Sequence, residues 1–469
     1  MDLRTPPAGA GQARAWPAMA TELLAGVDVG TTSCKAALVT PDGAEVAHGA
    51  VPTPWRVVPG GAEIASEVLV EAALAAVAQA LARGPDGPVV GLGVTSMAET
   101  AVLLDAGGGV VAPSIAWHDM RGEQEARRLA DDLGADRFTD HTGLPASALC
   151  TLVKYCWLRG HHPPAAAATR VLGVAEWVVH RLGGEMVAEL SLASRTGALE
   201  LATRAWWPEA LAWAEAPPGL LPSPLPAGTP AGRVRHVPAG LDRLVGAVLT
   251  VAGHDHLCAA VGAGVVATSE VFDSCGTAEA LVRAVTPPLA TPRIRQAVAE
   301  HVTVGWHVVP EVQALLGGQR AGLALQRFLD LLGVEQAGLP ALEAAALRVP
   351  PDAGGLEVLD ADSEQAALVG ISRHPSPGAV WRAAVEAVSD RTAAMLRTIE
   401  AVGGPVERVA VAGGWSRSPT LRQAKAARLP RPDYPAVTEA GARGAALLAG
   451  CAAGIYPGPT SVPSPPVEA

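Results

Sequence analysis

Lysine is nearly missing from this chain: Lys35, Lys154 and Lys425 are the only three in 469 residues. No Gly-Lys pair exists, which excludes the phosphate loop whose lysine follows glycine to reach the β- and γ-phosphates. Cysteine is sparse too. Cys34, Cys150, Cys156, Cys258, Cys275 and Cys451 are scattered without a CxxC pair, so no disulfide framework or zinc knuckle is expected, and a reducing cytoplasm is the expected compartment. No apolar run reaches membrane-spanning length. The first twenty or so residues are rich in Pro, Ala and Gly and lack the apolar centre of a signal peptide. HExxH and GxSxG are also absent, which removes the zinc-protease and nucleophile-elbow readings. Positive charge is in deficit, with a formal net charge of −11, which speaks against nucleic acid or an anionic membrane as partner. The shortage of lysine, together with many alanines and prolines, is read as coding bias and carries no function.

The hydrophobic fraction of 49% against 17% charged residues supports large buried cores. At roughly 150 residues per domain the length predicts two or three domains. Residues 1–21 read as a disordered extension, with Met19 an alternative start because Ala20 and Thr21 lead directly into the first strand. Residues 22–250 read as one domain, 251–455 as a second, and 456–469 as a loose Pro-rich tail. Strands are expected at 24–39 (a hairpin), 47–58 (a strand and loop), 89–94, 101–104 and 406–411, and helices at 68–83, 311–332, 381–400 and 439–453. Strands alternating with helices indicate an α/β fold with mixed sheets.

The hairpin turn Gly30-Thr31-Thr32-Ser33 places three hydroxyls beside exposed backbone N–H groups on a glycine that admits a ligand closely, the makings of a phosphate cradle. Asp28, ending the first strand, stands where a carboxylate holds a phosphate-bound magnesium through water; a solvated turn with a local hydrogen bond is the alternative. About half the chain later, Val271 to Val282 repeats the design around Gly276-Thr277-Ala278, a sign of internal duplication. A third glycine turn, Gly413-Gly414-Trp415-Ser416-Arg417-Ser418, follows an apolar strand and lets an adenine or ribose lie against the backbone, while Ser418 also suits the cap of a helix begun by Pro419. Three such turns in one chain point to a nucleotide. Between the first two lies Gly253-His254-Asp255-His256. With phosphates on the turns, Asp255 would face the γ-phosphate and accept the proton of an attacking hydroxyl. On a continuing strand His254, His256 and Cys258 would share one face, but no fourth metal ligand is near.

On these residues the chain resembles the FGGY family of carbohydrate kinases, within the actin-like ATPase superfamily, from Leu23 to about Gly454. Asp28 through Ser33 is similar to the family's first phosphate motif, Asp255 to its catalytic base, Gly276-Thr277 to its second phosphate motif, and Gly413-Gly414-x-x-x-Ser418, with Trp415, to its adenosine motif. Trp117-His118-Asp119-Met120-Arg121 resembles a Trp-x-Asp-x-Arg element, and Gly322 and Gln326 fall where a nucleotide-contacting helix is expected. The resemblance implies two ribonuclease-H-like domains with a deep cleft, sugar on the first and ATP on the second. It also implies ATP and Mg2+ as cofactors, with a homodimer left open. Ala98, Glu99, Asp119, Arg121, His254 and His256 would then lie at the sugar pocket around Asp255, although Asp119 and Arg121 equally suit a structural brace. Ala98 stands where glycerol kinases of the family carry arginine, the Met-His pair typical of xylulokinases is missing, and Ala427 replaces a frequent aspartate. The expected activity is phosphorylation of a small sugar, polyol or sugar acid. The rivals are a sugar-sensing scaffold without turnover and an ATPase that moves a protein partner.

Overall fold

The computed structural model describes residues 22–363, 365–371 and 374–468, so the extension expected over 1–21 lies outside the described residues. The opening stretch is a hairpin: β1 (Leu23–Val29) pairs antiparallel with β2 (Ser33–Val39), Val29 opposite Cys34. β3 (Glu45–Pro52) adds to β2 antiparallel. The chain then crosses through α1 (Ser66–Arg83), whose Leu69, Ala73, Ala76, Val77 and Ala80 are buried, with Glu67 in its first turn and Arg83 in its last, as the helix dipole favours. It returns as β4 (Val89–Ser96), parallel to β1. A long insertion follows that is mostly helical, including α2 (Thr151–His161). β5 (Val248–His254) completes the order β5-β4-β1-β2-β3. Because Val248 to Val251 pair with Gly91 to Val94, this sheet runs past the division expected at residue 250.

β5 ends at His254 and α3 (Asp255–Gly262) begins at once. His254, His256 and Cys258 therefore do not share a strand face; Cys258 is buried and turns to the Gly441 carbonyl. The second half repeats the plan of the first. β6 (Glu270–Cys275) and β7 (Glu279–Val285) form a hairpin around residues 276–278. β8 (Val302–Trp306) and β9 (Gln313–Gln319) follow, then α4 (Ala321–Leu332), α5 (Pro377–Gly403), β10 (Arg408–Ala412), α6 (Pro419–Ala426), β11 (Pro432–Asp433) and α7 (Ala440–Ala452). The order is β8-β9-β7-β6-β10-β11, with β10 parallel to β6 and β11 parallel to β10, as β4 is to β1 and β5 to β4. The echo between the two turns thus extends to strand order.

Two expectations fail for identifiable reasons. Residues 311–332 are not one helix: Gln313–Gln319 pairs on both sides, with β7 and β8, and this pairing overrides the helical preference of its Ala-Leu-Leu run. The C-terminal residues are not a loose tail. Pro463 accepts from Arg443 Nη2 at 2.9 Å, Pro466 from the Ala436 N–H at 2.8 Å, and the Glu468 N–H reaches the Tyr434 carbonyl at 2.9 Å.

α7 ties the halves together, lying on β1, β4 and α3 at backbone distance. A Cβ added to Gly26 would sit 1.9 Å from the Ala442 carbonyl oxygen, and one on Gly93 2.0 Å from that of Ala445. The approach needs glycine on the strands and small residues on the helix. Among the described residues no helix is long and apolar enough to cross a membrane.

Candidate active site

The carboxyl ends of three neighbouring parallel strands meet at one place, where α/β sheets bind their ligands. Asp28 on β1 lies beside Thr95 on β4, and Thr95 beside Gly253 on β5, whose carbonyl accepts the Thr95 hydroxyl at 2.6 Å. Asp255 follows two residues later. The Asp28 carboxyl has one buried oxygen, Oδ1, without a hydrogen-bond partner. Burial, and then the Asp255 charge, push this acid up to about 8 against the pull of Lys35. Gly441, in the first turn of α7, closes over it: a Cβ there would lie 2.4 Å from Asp28 Oδ2.

Asp255 is the opposite case. Burial raises its acid, but His256 and His254 outweigh burial and hold it at about 2, ionised. The His256 N–H donates to Asp255 Oδ1 at 2.7 Å. His254 Nδ1 stands 2.8 Å from the same oxygen without the alignment of a hydrogen bond. The chain at His254 is fixed from behind: its N–H donates to Ser191 Oγ at 2.9 Å, and that hydroxyl donates to the buried Glu189 carboxyl at 2.5 Å. The two aspartates thus differ in direction, Asp255 shifted toward the ionised form and Asp28 toward the neutral one.

The first turn is pinned on its inner side and open on its outer side. Thr53 Oγ1 donates to the Gly30 carbonyl at 2.8 Å, Trp55 Nε1 to the Thr31 carbonyl at 2.7 Å, and Trp117 Nε1 to Thr31 Oγ1 at 2.7 Å. Thr31 Oγ1 also points its proton at Met97 Sδ, a weak acceptor at 3.9 Å, while Thr32 is exposed and Ser33 half-buried. The second turn, with Thr277 exposed, is braced by the head of α4, where the Leu323 N–H reaches the Thr277 carbonyl at 3.0 Å. Gly322 allows this, since a Cβ there would meet the Gly276 carbonyl at 2.1 Å and Trp415 Nε1 at 2.8 Å. Gly413, at φ +111°, packs on Cys275 with no room for a side chain. Gly276, Thr277, Gly322, Gly413 and Trp415 are therefore one cluster, and Gly413 and Gly414 are exposed beside it. Ser418 is buried; its hydroxyl accepts from the Leu421 N–H as the α6 cap and donates to Glu343 Oε1 at 2.6 Å, so it faces inward. Gln326 is exposed and turns along its helix to Asp330 Oδ1 at 2.9 Å.

Of the remaining pocket residues, Ala98 and Glu99 form a tight turn closed by the Thr100 N–H on the Ala98 carbonyl at 2.7 Å, with Glu99 at φ +60°. That strained conformation holds the Glu99 side chain against Arg195 Nε at 2.6 Å, and Arg195 bridges to Thr303 Oγ1 of β8 at 2.8 Å. Asp119 and Arg121 are a brace: the fully buried Asp119 carboxylate accepts from Arg121 Nε at 3.0 Å and from the Ala62 N–H at 3.1 Å, while Arg121 Nη1 reaches Glu63 Oε1 at 2.7 Å. Two residues escaped the sequence reading. Lys154 is buried, donates to the Trp117 carbonyl at 2.6 Å and is pushed down to about 8 by burial, with Glu99 the main opposing charge. Arg195 sits within an unremarked Ser-Arg-Thr run. A lysine in an apolar helix of a chain with three was the available signal for the first; the second had none. His118 is lowered by burial against the pull of Asp119.

The chain is similar to known kinases over nearly its whole length. Residues 23–262 match the model of the N-terminal domain of the FGGY family of carbohydrate kinases, and residues 276–453 that of its C-terminal domain. A glycerol kinase from Methylorubrum extorquens is 30% identical, over 81% of this chain and 79% of its own length. A gluconokinase from Bacillus licheniformis is 24% identical over 86% and 82%. The crystal structure of xylulose kinase from Rhodospirillum rubrum superimposes with a TM-score of 0.83 at 27% identity, over 95% of this chain and 93% of that one.

Proposed function

Because the chain belongs to the FGGY family of carbohydrate kinases, an enzyme family of two actin-like ATPase domains, we propose that it transfers the γ-phosphate of ATP to a hydroxyl of a small sugar, polyol or sugar acid with Asp255 as general base. The observation that carries this reading is the aspartate pair: Asp255 held ionised by two histidines beside Asp28, whose buried Oδ1 lacks a partner. A carboxylate whose acid has so low a pKa is a weak base toward an alcohol. Its work is to orient the acceptor hydroxyl through a hydrogen bond and to take the proton late, as the bond to phosphorus forms.

The residues fit a magnesium ion, because a cation near Asp28 would supply the missing partner of Oδ1 and favour the ionised carboxyl. When bound it would neutralise phosphate oxygens and orient the nucleotide, with Asp28 holding it through water. The turn at Gly30, Thr31, Thr32 and Ser33 and the turn at Gly276 and Thr277 would take the phosphates on backbone N–H groups and free hydroxyls. Gly322, Gly413, Gly414 and Trp415 would take the nucleoside. His256 feels both Asp255 and Glu99, the latter locked by Arg195, and Glu99 and His256 are assigned to the acceptor. In this division residues 22–250 carry most of the acceptor site and the first phosphate turn, and residues 251–455 carry the nucleoside, the second phosphate turn, and Asp255 and His256 facing the acceptor. The relatives named above act on a polyol, a sugar acid and a ketose, so the acceptor is left at that breadth. A coupled ADP-release screen over pentuloses, hexuloses, polyols and aldonic acids tests the proposal; ADP release that no acceptor stimulates overturns it.

A further inference from the structure

The two phosphate hairpins share their pairing and differ in what lies beneath them. In the first, Val29 stands opposite Cys34 and Val27 opposite Ala36, and all four are buried in the apolar core under α1. In the second, Cys275 stands opposite Glu279 and Asp273 opposite Leu281. Counting from the turn, Asp273 takes the place of Val27, Cys275 that of Val29 and Glu279 that of Cys34. An apolar bed in one half is a charged one in the other.

The ligand atoms of Asp273, Cys275 and Glu279 lie within 4.8 Å of one another, a set that suits a cation. The cation there is the ammonium of Lys425, carried by α6. It bonds to Asp273 Oδ2, to Cys275 Sγ at 3.1 Å and to Glu279 Oε1 at 2.6 Å. Glu279 accepts further from Thr392 Oγ1 of α5 at 2.7 Å and from Gln319 Nε2 of β9 at 2.9 Å. Lys425, Asp273 and Glu279 are fully enclosed. Burial alone would lower the lysine, but Asp273, Cys275 and Glu279 together hold it well above its usual range.

Such a network is a poor way to gain stability, since well-packed apolar residues in its place are often neutral or stabilising. What it supplies is geometry, because each bond is directional and an unpaired member is heavily penalised. It fastens both ends of the 276–278 turn to α6, which begins directly after the Gly413–Ser418 segment. Through Gln319 it also reaches the head of α4, which holds Thr277.

We propose that Lys425 is a positioning residue for the nucleotide, fixing the Gly276–Ala278 turn against the Gly413-Gly414 segment so that both grip one ATP. This rests on the nucleotide reading above. The test is calorimetric titration of the full chain with ATP and with adenosine, for the wild type and for a triple variant, Asp273→Val, Glu279→Gln and Lys425→Met, that removes the three charges and keeps an acceptor for Thr392 and Gln319. ATP affinity should fall about tenfold or more, with adenosine affinity and the unfolding midpoint unchanged, because only the phosphate turn is released. Unchanged ATP affinity, or an equal loss for both ligands, overturns the inference. A wild type that binds no ATP overturns the nucleotide reading itself. Should the triple variant fail to fold, Thr392→Val, which removes one donor from Glu279, should weaken ATP two- to threefold with adenosine affinity unchanged, measured below its lowered midpoint where the variant is still folded; undiminished ATP binding there overturns the inference equally.

Discussion

Asp28→Asn should stabilise the metal-free protein and abolish its response to magnesium-ATP. In the free chain the Asp28 acid is raised from 3.8 to about 8, first by burial and then by Asp255. A carboxyl with a raised folded value contributes stability that is full below 3.8 and is lost as pH rises toward 8. Between 3.8 and 7 the loss is bounded at about 4 kcal/mol, at about 1.4 kcal/mol per unit. Asparagine keeps the shape and removes the charge. In EDTA at pH 8 the variant should therefore unfold several degrees above the wild type, and at pH 4 the two should coincide. Magnesium-ATP should then raise the wild-type midpoint, by about 2.7 kcal/mol of stabilisation at a hundredfold excess over Kd, and leave the variant where it was. The assay is thermal unfolding at both pH values with and without the nucleotide. A variant no more stable than wild type at pH 8, or one that magnesium-ATP stabilises fully, refutes the reasoning.

Other outcomes follow from the same contacts. Trp117→Phe removes the N–H given to Thr31 Oγ1 at 2.7 Å; ATP affinity by calorimetry should drop severalfold, about 1 kcal/mol, while the fold persists. Gly26→Ala drives a Cβ to 1.9 Å from the Ala442 carbonyl, so urea unfolding should show a loss of at least about 3 kcal/mol. Glu189, raised to about 7 by burial against the bonds from Ser191 and Leu192, contributes stability that is present below 4.5 and lost as pH rises through 7. Glu189→Gln should therefore gain on the wild type in thermal unfolding at pH 8 and not at pH 4.

What could be read from the residues was what is decided locally. Gly-Thr turns between apolar runs announce a hairpin wherever they fall, so both hairpins and their echo were legible. Asp119 and Arg121, two apart, were legible as a brace for the same reason. What failed depends on partners far along the chain. Residues 313–319 are a strand because β7 and β8 lie on either side, which the run itself does not announce. The residues after Pro457 are held by Arg443, Ala436 and Tyr434 rather than by their own pattern. Lys425 finds Asp273 at a separation of 152 residues and Glu279 at 146, so one of three lysines in the chain gave no hint of its partners. The inward turn of Ser418 was half-legible: the cap was foreseen, the bond to Glu343 was not.

The most direct test of the central claim compares ADP release by the wild type and Asp255→Asn across the acceptor panel, with acceptor binding followed separately by calorimetry. At least one acceptor should stimulate the wild type. The variant should still bind that acceptor while losing about 10²- to 10⁴-fold in turnover. Comparable turnover by Asp255→Asn on the same acceptor would contradict the assignment of Asp255 as the base.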